Sequence, residues 1–245
     1  MSRPLIRALN SIKWREAAMT YCYCPVCNAK RIIVRLHHNE IAVRCLTCRA
    51  TSVTMSLVAV LRQLVPDLSS KEIYELSSRG PLVTFLNKNC KKLTCSEYFD
   101  AVASGDSYNG ILCQDVQKLT FPDNSFDLCT STEVFEHVPN DLAGFAEIRR
   151  VLRPGGTFLF TVPLFQSPAT VERARLDSNQ QIAHLLPAHY HGDPIREHQP
   201  VLVYRDYGKD IRQRLINQGF STAKLLNPSS PIPWHYARAI ITAVK

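Results

Sequence analysis

Cys24 and Cys27 form one C-x2-C pair and Cys45 and Cys48 a second, with 17 residues between the pairs. Each pair can sit on a tight turn and offer two thiolates to one ion. Four thiolates in tetrahedral array suit zinc. A closed four-thiolate shell leaves no position for a substrate, so the spacing predicts a structural ion that supports folding. Cys22 stands beside the site as a spare thiol. Five of the nine cysteines lie between Cys22 and Cys48, and the odd count argues against a disulfide framework. Cys90, Cys95, Cys113 and Cys129 fall on predicted strands or a helix end and read as small core residues.

A second set of residues suits a nucleoside-type cofactor. On an open parallel sheet such a ligand binds at the carboxyl ends of the strands. It needs a tight turn after the first strand and an acidic residue after the second, which takes the ribose hydroxyls. It also needs a polar residue after the third strand, which reads the base. Glu97 ends "KKLTCSE" and Asp115, followed by Val116, ends "ILCQD". Tyr98 follows Glu97 and can pack on a base. The turn is less clear: "IYELSSRGPLVTFL", residues 73 to 86, reads as strand, turn and helix with Gly80 as its only glycine.

The elements that must position these residues alternate along the chain. Residues 1–20 read as an amphipathic helix with Leu5, Leu9, Ile12 and Ala17 on one side. Residues 21–50 form the cysteine unit, where "RIIVRLHHNEIAVRC" alternates as a hairpin would. Ser52 or Thr54 can cap a helix that ends before Pro66, within a connecting segment 51–69. From residue 70 to 245 strands and helices alternate. "KEIYELS", "KKLTCSEYF", "NGILCQD", "SFDLCTST", "TFLFTVP", "FSTAKLL" and "ARAIITAV" read as strands. "LVTFLNKN", "DLAGFAEIRRVL" and "DIRQRLINQG" read as helices, the second with Leu142, Phe145, Ile148 and Leu152 on one face. The implied fold class is α/β, a mostly parallel Rossmann-like sheet covered on both faces, plus a small amino-terminal zinc ribbon. Residues 164–207 form a long insertion of the kind that often serves as a lid over a substrate.

The run "LTFPDNSFDLCTSTEVFEHVPNDLAGFAEIRRVLRPGGTFLFTVP", residues 119–163, closely resembles the second half of a class I S-adenosylmethionine-dependent methyltransferase of type 11. The resemblance extends over roughly residues 71–245. It implies a seven-stranded sheet with the last strand antiparallel and S-adenosyl-L-methionine as cofactor. It also implies Glu97 on the ribose, Asp115 on the adenine, and Thr130 to Thr132 below the methionine part. In that family the first turn carries an acidic residue and then three alternating glycines. Aligned at Glu75, those glycine positions hold Ser77, Arg79 and Pro81, with Gly80 between the last two. Ser77, Ser78 and Gly80 can still make a tight turn, since Gly80 tolerates positive φ. Arg79 either pairs with the cofactor carboxylate or points to solvent.

Methyl transfer from a sulfonium is an in-line displacement in which positioning does most of the work. A hydroxyl acceptor also needs a general base. His137 in "EVFEHV" and His189 and His191 in "PAHYHGDP" are the candidates; a structural role for His137 weighs equally. Glu133, Glu136 and Asp193 are further acids or bases, or pocket-lining groups. A second metal site among the histidines between His184 and His198 has no clear spacing. Three readings stay open. The first is methylation of a small-molecule or glycan-type acceptor. The second is methylation of RNA, supported by a net charge of +8 and by Lys30, Arg31, Arg35 and Arg44 on the cysteine hairpin. The third is a binding module that has lost the donor site. No apolar run reaches the roughly 18 residues of a membrane span. The basic amino terminus lacks a signal-peptide core, so a cytoplasmic location is the expectation.

Overall fold

The computed structural model describes residues 15–39, 42–192 and 200–245. The chain divides into two compact units. One comprises Met1–Ser69, Arg79–Asn89 and Leu226–Ile240; the other comprises Ser70–Ser78, Cys90–Leu225 and Ile241–Lys245. The inclusion of residues 79–89 and 226–240 in the first unit has no sequence signal.

In the first unit, β1 (Ala18–Cys24), β2 (Ala29–Arg35) and β3 (Val43–Cys45) form an antiparallel meander. The hairpin between the cysteine pairs is therefore present. The amino-terminal helix is corrected in part, because Ala18–Thr20 belong to β1; residues 1–14 lie outside the described residues. Helix α1 (Ser52–Leu64) follows, and its cap is Thr51, not Ser52 or Thr54. The Thr51 hydroxyl accepts the Thr54 N–H at 3.1 Å, satisfying one of the orphan donors of a helix start. The side chains from Ser52 to Leu61 are all buried. Helix α2 (Pro81–Asn89) begins at a proline, which suits the first helical position because its missing N–H would have no partner there. Three of the four hairpin cations have internal partners, Arg31 through the Lys30 carbonyl at 2.9 Å. Arg35 donates to the Glu16 carbonyl and its guanidinium lies 5.3 Å from the Trp234 ring centre, and Arg44 donates to the Val43 carbonyl.

The second unit is built on one mixed sheet. Its strands are β4 (Glu72–Glu75), β5 (Lys92–Cys95), β6 (Phe126–Thr132), β7 (Leu152–Thr161), β8 (Thr222–Leu226) and β9 (Ile240–Val244). Their order is β8-β9-β7-β6-β4-β5. β5, β4, β6 and β7 run parallel, and β9 is antiparallel to β7, as expected. The sheet has six strands in place of the seven expected. The missing member is "NGILCQD". Ile111–Leu112 pair back on Ser107–Tyr108, and the segment meets the main sheet only through a single Glu97–Cys113 bridge. The short crossover between Glu97 and Ile111 folds locally and leaves no length for a full strand.

Helix α3 (Asp141–Val151) buries Gly144, Phe145, Ile148 and Val151. Leu142, expected on that face, is exposed. Gly144 takes the close approach instead: a Cβ there would lie 3.0 Å from the Phe135 ring. Phe135, Phe145, Phe158 and Phe160 stack in the centre, with ring separations of 4.6 Å for Phe135–Phe145 and 4.3 Å for Phe158–Phe160. Helix α4 (Ile211–Asn217) ends before Gly219, whose φ is +89°. The described part of the 164–207 insertion forms three short two-stranded ladders. No helix among the described residues is long and apolar enough to cross a membrane.

Candidate functional site

The register of the sheet puts its acids at the carboxyl edge. Glu75 pairs with Cys95 on one side and Thr130 on the other, so the residues that leave β4, β5 and β6 emerge at one level, where open sheets bind ligands. Glu75 is fully buried. It accepts hydrogen bonds from the Ser77 hydroxyl at 2.5 Å and from the Thr130 hydroxyl. Glu97 is also buried, and one carboxylate oxygen accepts both the Ser78 N–H at 2.6 Å and the Ser78 hydroxyl at 2.8 Å. Each serine of the altered loop is thus held by a carboxylate at the end of a parallel strand. The glycine pattern is replaced by Ser–Glu hydrogen bonds, and one residue supplies the left-handed conformation: Gly80, at φ +107°. Pro81, at the last glycine position, is the first residue of α2. Arg79 is exposed.

Burial pushes the Glu75 carboxyl up to about 7; the Ser77 and Thr130 hydroxyls pull it down, and the Glu97 charge adds to the rise. A carboxyl whose folded value lies above its unfolded one contributes stability that is fully present below the unfolded value, near 4.5. That stability is lost as pH rises through about 7. Glu75→Gln removes the dependence. The stability of wild type relative to Glu75→Gln is expected to fall by on the order of 3 kcal/mol between about pH 5 and about pH 8. Chemical denaturation of both proteins at the two pH values measures it.

Tyr98, beside Glu97, is exposed. Asp115 is half-buried, and its carboxylate accepts the Gln117 N–H at 2.9 Å and the Gln117 side-chain amide at 3.0 Å. Gln117 in turn accepts the Asn140 N–H at 2.9 Å, and Asn140 caps α3. Gln117 therefore links the expected adenine acid to the helix behind it; only its spacing from Asp115, that of an Asx turn, signals the link in the sequence. Val116 is a buried core residue. Thr130 is buried against Glu75, and Thr132 ends β6. The next residue, Glu133, has φ +53°, and its N–H donates to the Thr161 carbonyl at 3.0 Å.

His184 and His189 are exposed, and residues 193–199, with Asp193 and His198, lie outside the described residues. The His191 ring stands 5.1 Å from that of His137 and 5.0 Å from that of His189. Burial and the neighbouring His189 hold His191 below the usual imidazole value. Sequence reasoning missed the residue that fixes this corner, Arg205. It is 3% exposed and donates to the Phe135, Val138 and Pro139 carbonyls at 3.1, 2.6 and 2.7 Å, and to Glu172 at 3.1 Å. Buried Asp141, at the start of α3, accepts from Tyr207 at 2.8 Å and from Arg214 at 2.7 Å, and lies 3.8 Å from Arg205.

In the first unit the four paired cysteines converge, with all ligand sulfurs within 4.8 Å of one another. Cys24 and Cys48 are 3.7 Å apart and Cys27 and Cys45 3.9 Å. Sulfurs about 2.3 Å from one ion at tetrahedral corners stand about 3.8 Å apart, so the four residues fit a zinc ion. Each C-x2-C turn closes with a residue in the left-handed region, Asn28 at φ +54° and Arg49 at φ +61°. Arg62 of α1 donates to the Pro25 carbonyl at 2.9 Å, tying the helix to the first turn. Hydrogen bonding with Cys48 holds the Cys24 thiol down to about 5.

Residues 80–160 match the family model described as a methyltransferase domain, a narrower span than the resemblance in the sequence implies. A sterol 24-C-methyltransferase of Pneumocystis carinii (strain B80) is 27% identical over 169 residues, 64% of this chain and 39% of that protein. A cycloartenol-C-24-methyltransferase 1 of Oryza sativa subsp. japonica is 27% identical over 158 residues, 62% of this chain and 41% of that protein. The chain thus spans about two fifths of the length of these curated relatives. A solved S-adenosylmethionine dependent methyltransferase from Mesorhizobium loti aligns over 76% of this chain and 96% of its own, at 17% identity and a TM-score of 0.48. Residues 80–160, the central third of the chain, are thus similar in sequence to a methyltransferase domain.

Proposed function

We propose that the protein is an S-adenosylmethionine-dependent methyltransferase that acts on a small-molecule or sugar-containing acceptor. The observation that carries this reading is the pair of buried acids at the carboxyl ends of adjacent parallel strands, Glu75 and Glu97, each holding one serine of the donor loop. A carboxylate beside that turn suits a ribose diol, and Tyr98 next to it suits a base. Asp115 and Val116 line the adenine side, and Thr130 and Thr132 the methionine side. The cofactor brings its own leaving group, so the chain's task is to align donor and acceptor and keep water out. The relatives named as sterol methyltransferases support a small acceptor, with the 164–207 insertion as its lid. Donor turnover to S-adenosylhomocysteine is measured with a pool of small metabolites and, separately, with total RNA. Turnover with the metabolites is the expected result; turnover with RNA alone contradicts it.

The four thiols of Cys24, Cys27, Cys45 and Cys48 hold a structural zinc ion in the same reading, supported by their tetrahedral spacing. Cobalt(II) substitution is expected to give thiolate-to-metal absorption in wild type. Cys45→Ser lowers that absorption severalfold and lowers the melting temperature, because Cys45 is fully buried in the small core around the site. Equal absorption in the variant contradicts the assignment.

A further inference from the structure

A second cluster of metal-ligating side chains lies apart from the cysteines. Glu136 and His137 stand in the 3-10 turn after β6 (Phe135–His137), and His191 on the hairpin of Tyr190–Gly192 and Pro200–Leu202. The Glu136 side chain is 1% exposed. Its Oε1 lies 3.8 Å from His137 Nε2 and 4.0 Å from His191 Nδ1. One ligand atom from each of the three residues falls within 4.8 Å of the others. Both separations exceed hydrogen-bond length. Ligand atoms about 2.1 Å from one ion at tetrahedral corners stand about 3.4 Å apart, so closure onto an ion needs a shift of about half an ångström between Glu136 and each histidine.

The tautomer of His137 is already set. Its Nδ1 lies 2.8 Å from the Leu202 carbonyl. A carbonyl only accepts, so Nδ1 carries a proton, and in the neutral ring Nε2 presents its lone pair. This is the arrangement of a metal-bound imidazole, whose other nitrogen donates to a backbone carbonyl. The same hairpin supplies the third ligand. Tyr190 pairs with Leu202 and His191 with Val201, so the strand that orients His137 is hydrogen-bonded to the strand that carries His191. Tyr204 N–H donates to the Glu136 carbonyl at 2.7 Å, and Arg205 holds the carbonyls on either side of the turn. The turn and the hairpin are thereby fixed to each other at the point where the ligands meet.

We propose that Glu136, His137 and His191 form a second metal site, which binds a divalent transition-metal ion such as zinc with one carboxylate and two imidazoles. Three protein ligands leave a coordination position open, unlike the closed thiolate shell. That position takes a water molecule or an oxygen atom of a bound substrate. The site stands on these side chains and not on donor binding, so it can hold when the methyltransferase reading fails.

The test uses the full chain without a histidine tag, dialysed against zinc or cobalt(II). Bound metal is counted by elemental analysis, and thiolate-to-cobalt absorption reports the cysteine site separately. Wild type is expected to hold one ion beyond those bound to cysteine thiolates. His191→Ala and Glu136→Gln each lose that ion, with an affinity lower by about a hundredfold, while the thiolate absorption of the first unit is unchanged and circular dichroism shows that the fold of the second unit persists. Cys45→Ser loses the thiolate absorption and keeps the other ion. A wild-type protein with no ion outside the thiolates overturns the proposal. So does retention of the same number of ions at the same affinity by both His191→Ala and Glu136→Gln.

Discussion

Glu97→Ala is expected to weaken S-adenosylmethionine binding by about a hundredfold. The carboxylate is buried at the end of β5, and in the proposed site it accepts the ribose hydroxyls. Hydrogen bonds to a charged group contribute about 1.5–3 kcal/mol each, so losing the pair costs about 3 kcal/mol after partial compensation by water. The same substitution releases the Ser78 N–H and hydroxyl that shape the donor loop. Glu97→Gln separates the two effects, since an amide oxygen still accepts from Ser78 and its NH2 presents a donor to the ribose. Its affinity is expected between those of wild type and Glu97→Ala, and Tyr98→Ala is expected to lose less than either. Circular dichroism of each variant checks that the fold is intact. Donor affinity in Glu97→Ala equal to that of wild type contradicts the assignment.

Arg205→Met is expected to destabilise the second unit by about 3–5 kcal/mol. The guanidinium is 3% exposed, and its removal leaves the Val138 and Pro139 carbonyls without their arginine donor, while the Phe135 carbonyl keeps the Val138 N–H and the Tyr207 hydroxyl. Asp141 loses one of the two arginines near it in a setting where it is 2% exposed. Methionine matches the volume of the arginine stem, so the loss reports hydrogen bonds and charge more than packing. Arg205→Lys is not expected to rescue it, because a point ammonium cannot reach three carbonyls in the plane of a fork. For a chain of this size the midpoint of thermal unfolding falls by roughly 10 °C. A shift within about 2 °C contradicts the role assigned to Arg205.

Features carried by short spacings were legible. The two C-x2-C pairs needed only two tight turns, and the structure brings their four sulfurs within 4.8 Å of one another. β6, α3 and β7 were legible because "SFDLCTST", "DLAGFAEIRRVL" and "TFLFTVP" each carry one periodicity and are separated by turn residues. Acids were legible where a strand ends, as with Glu75 and Glu97. Features set by contacts across long loops were not. Arg205 meets the 135–139 turn from about 70 residues away in sequence, and nothing local in "VYRDYG" marks it as buried. His191 reaches Glu136 only because the hairpin register places it there. Leu142 was misread because the inner face begins one residue earlier, at Asp141, which Tyr207 and Arg214 hold buried. The seventh strand failed for a related reason. "NGILCQD" has strand composition, yet its partner within reach was Ser107–Tyr108 and not the sheet edge.

The altered loop remains the point on which the enzyme reading turns, since three glycine positions hold Ser77, Arg79 and Pro81. Calorimetric titration of the wild-type protein with S-adenosylmethionine addresses it most directly. The Ser77–Glu75 and Ser78–Glu97 hydrogen bonds predict saturable binding at one site per chain, in the micromolar range and competed by S-adenosylhomocysteine. No detectable binding at millimolar donor contradicts the account.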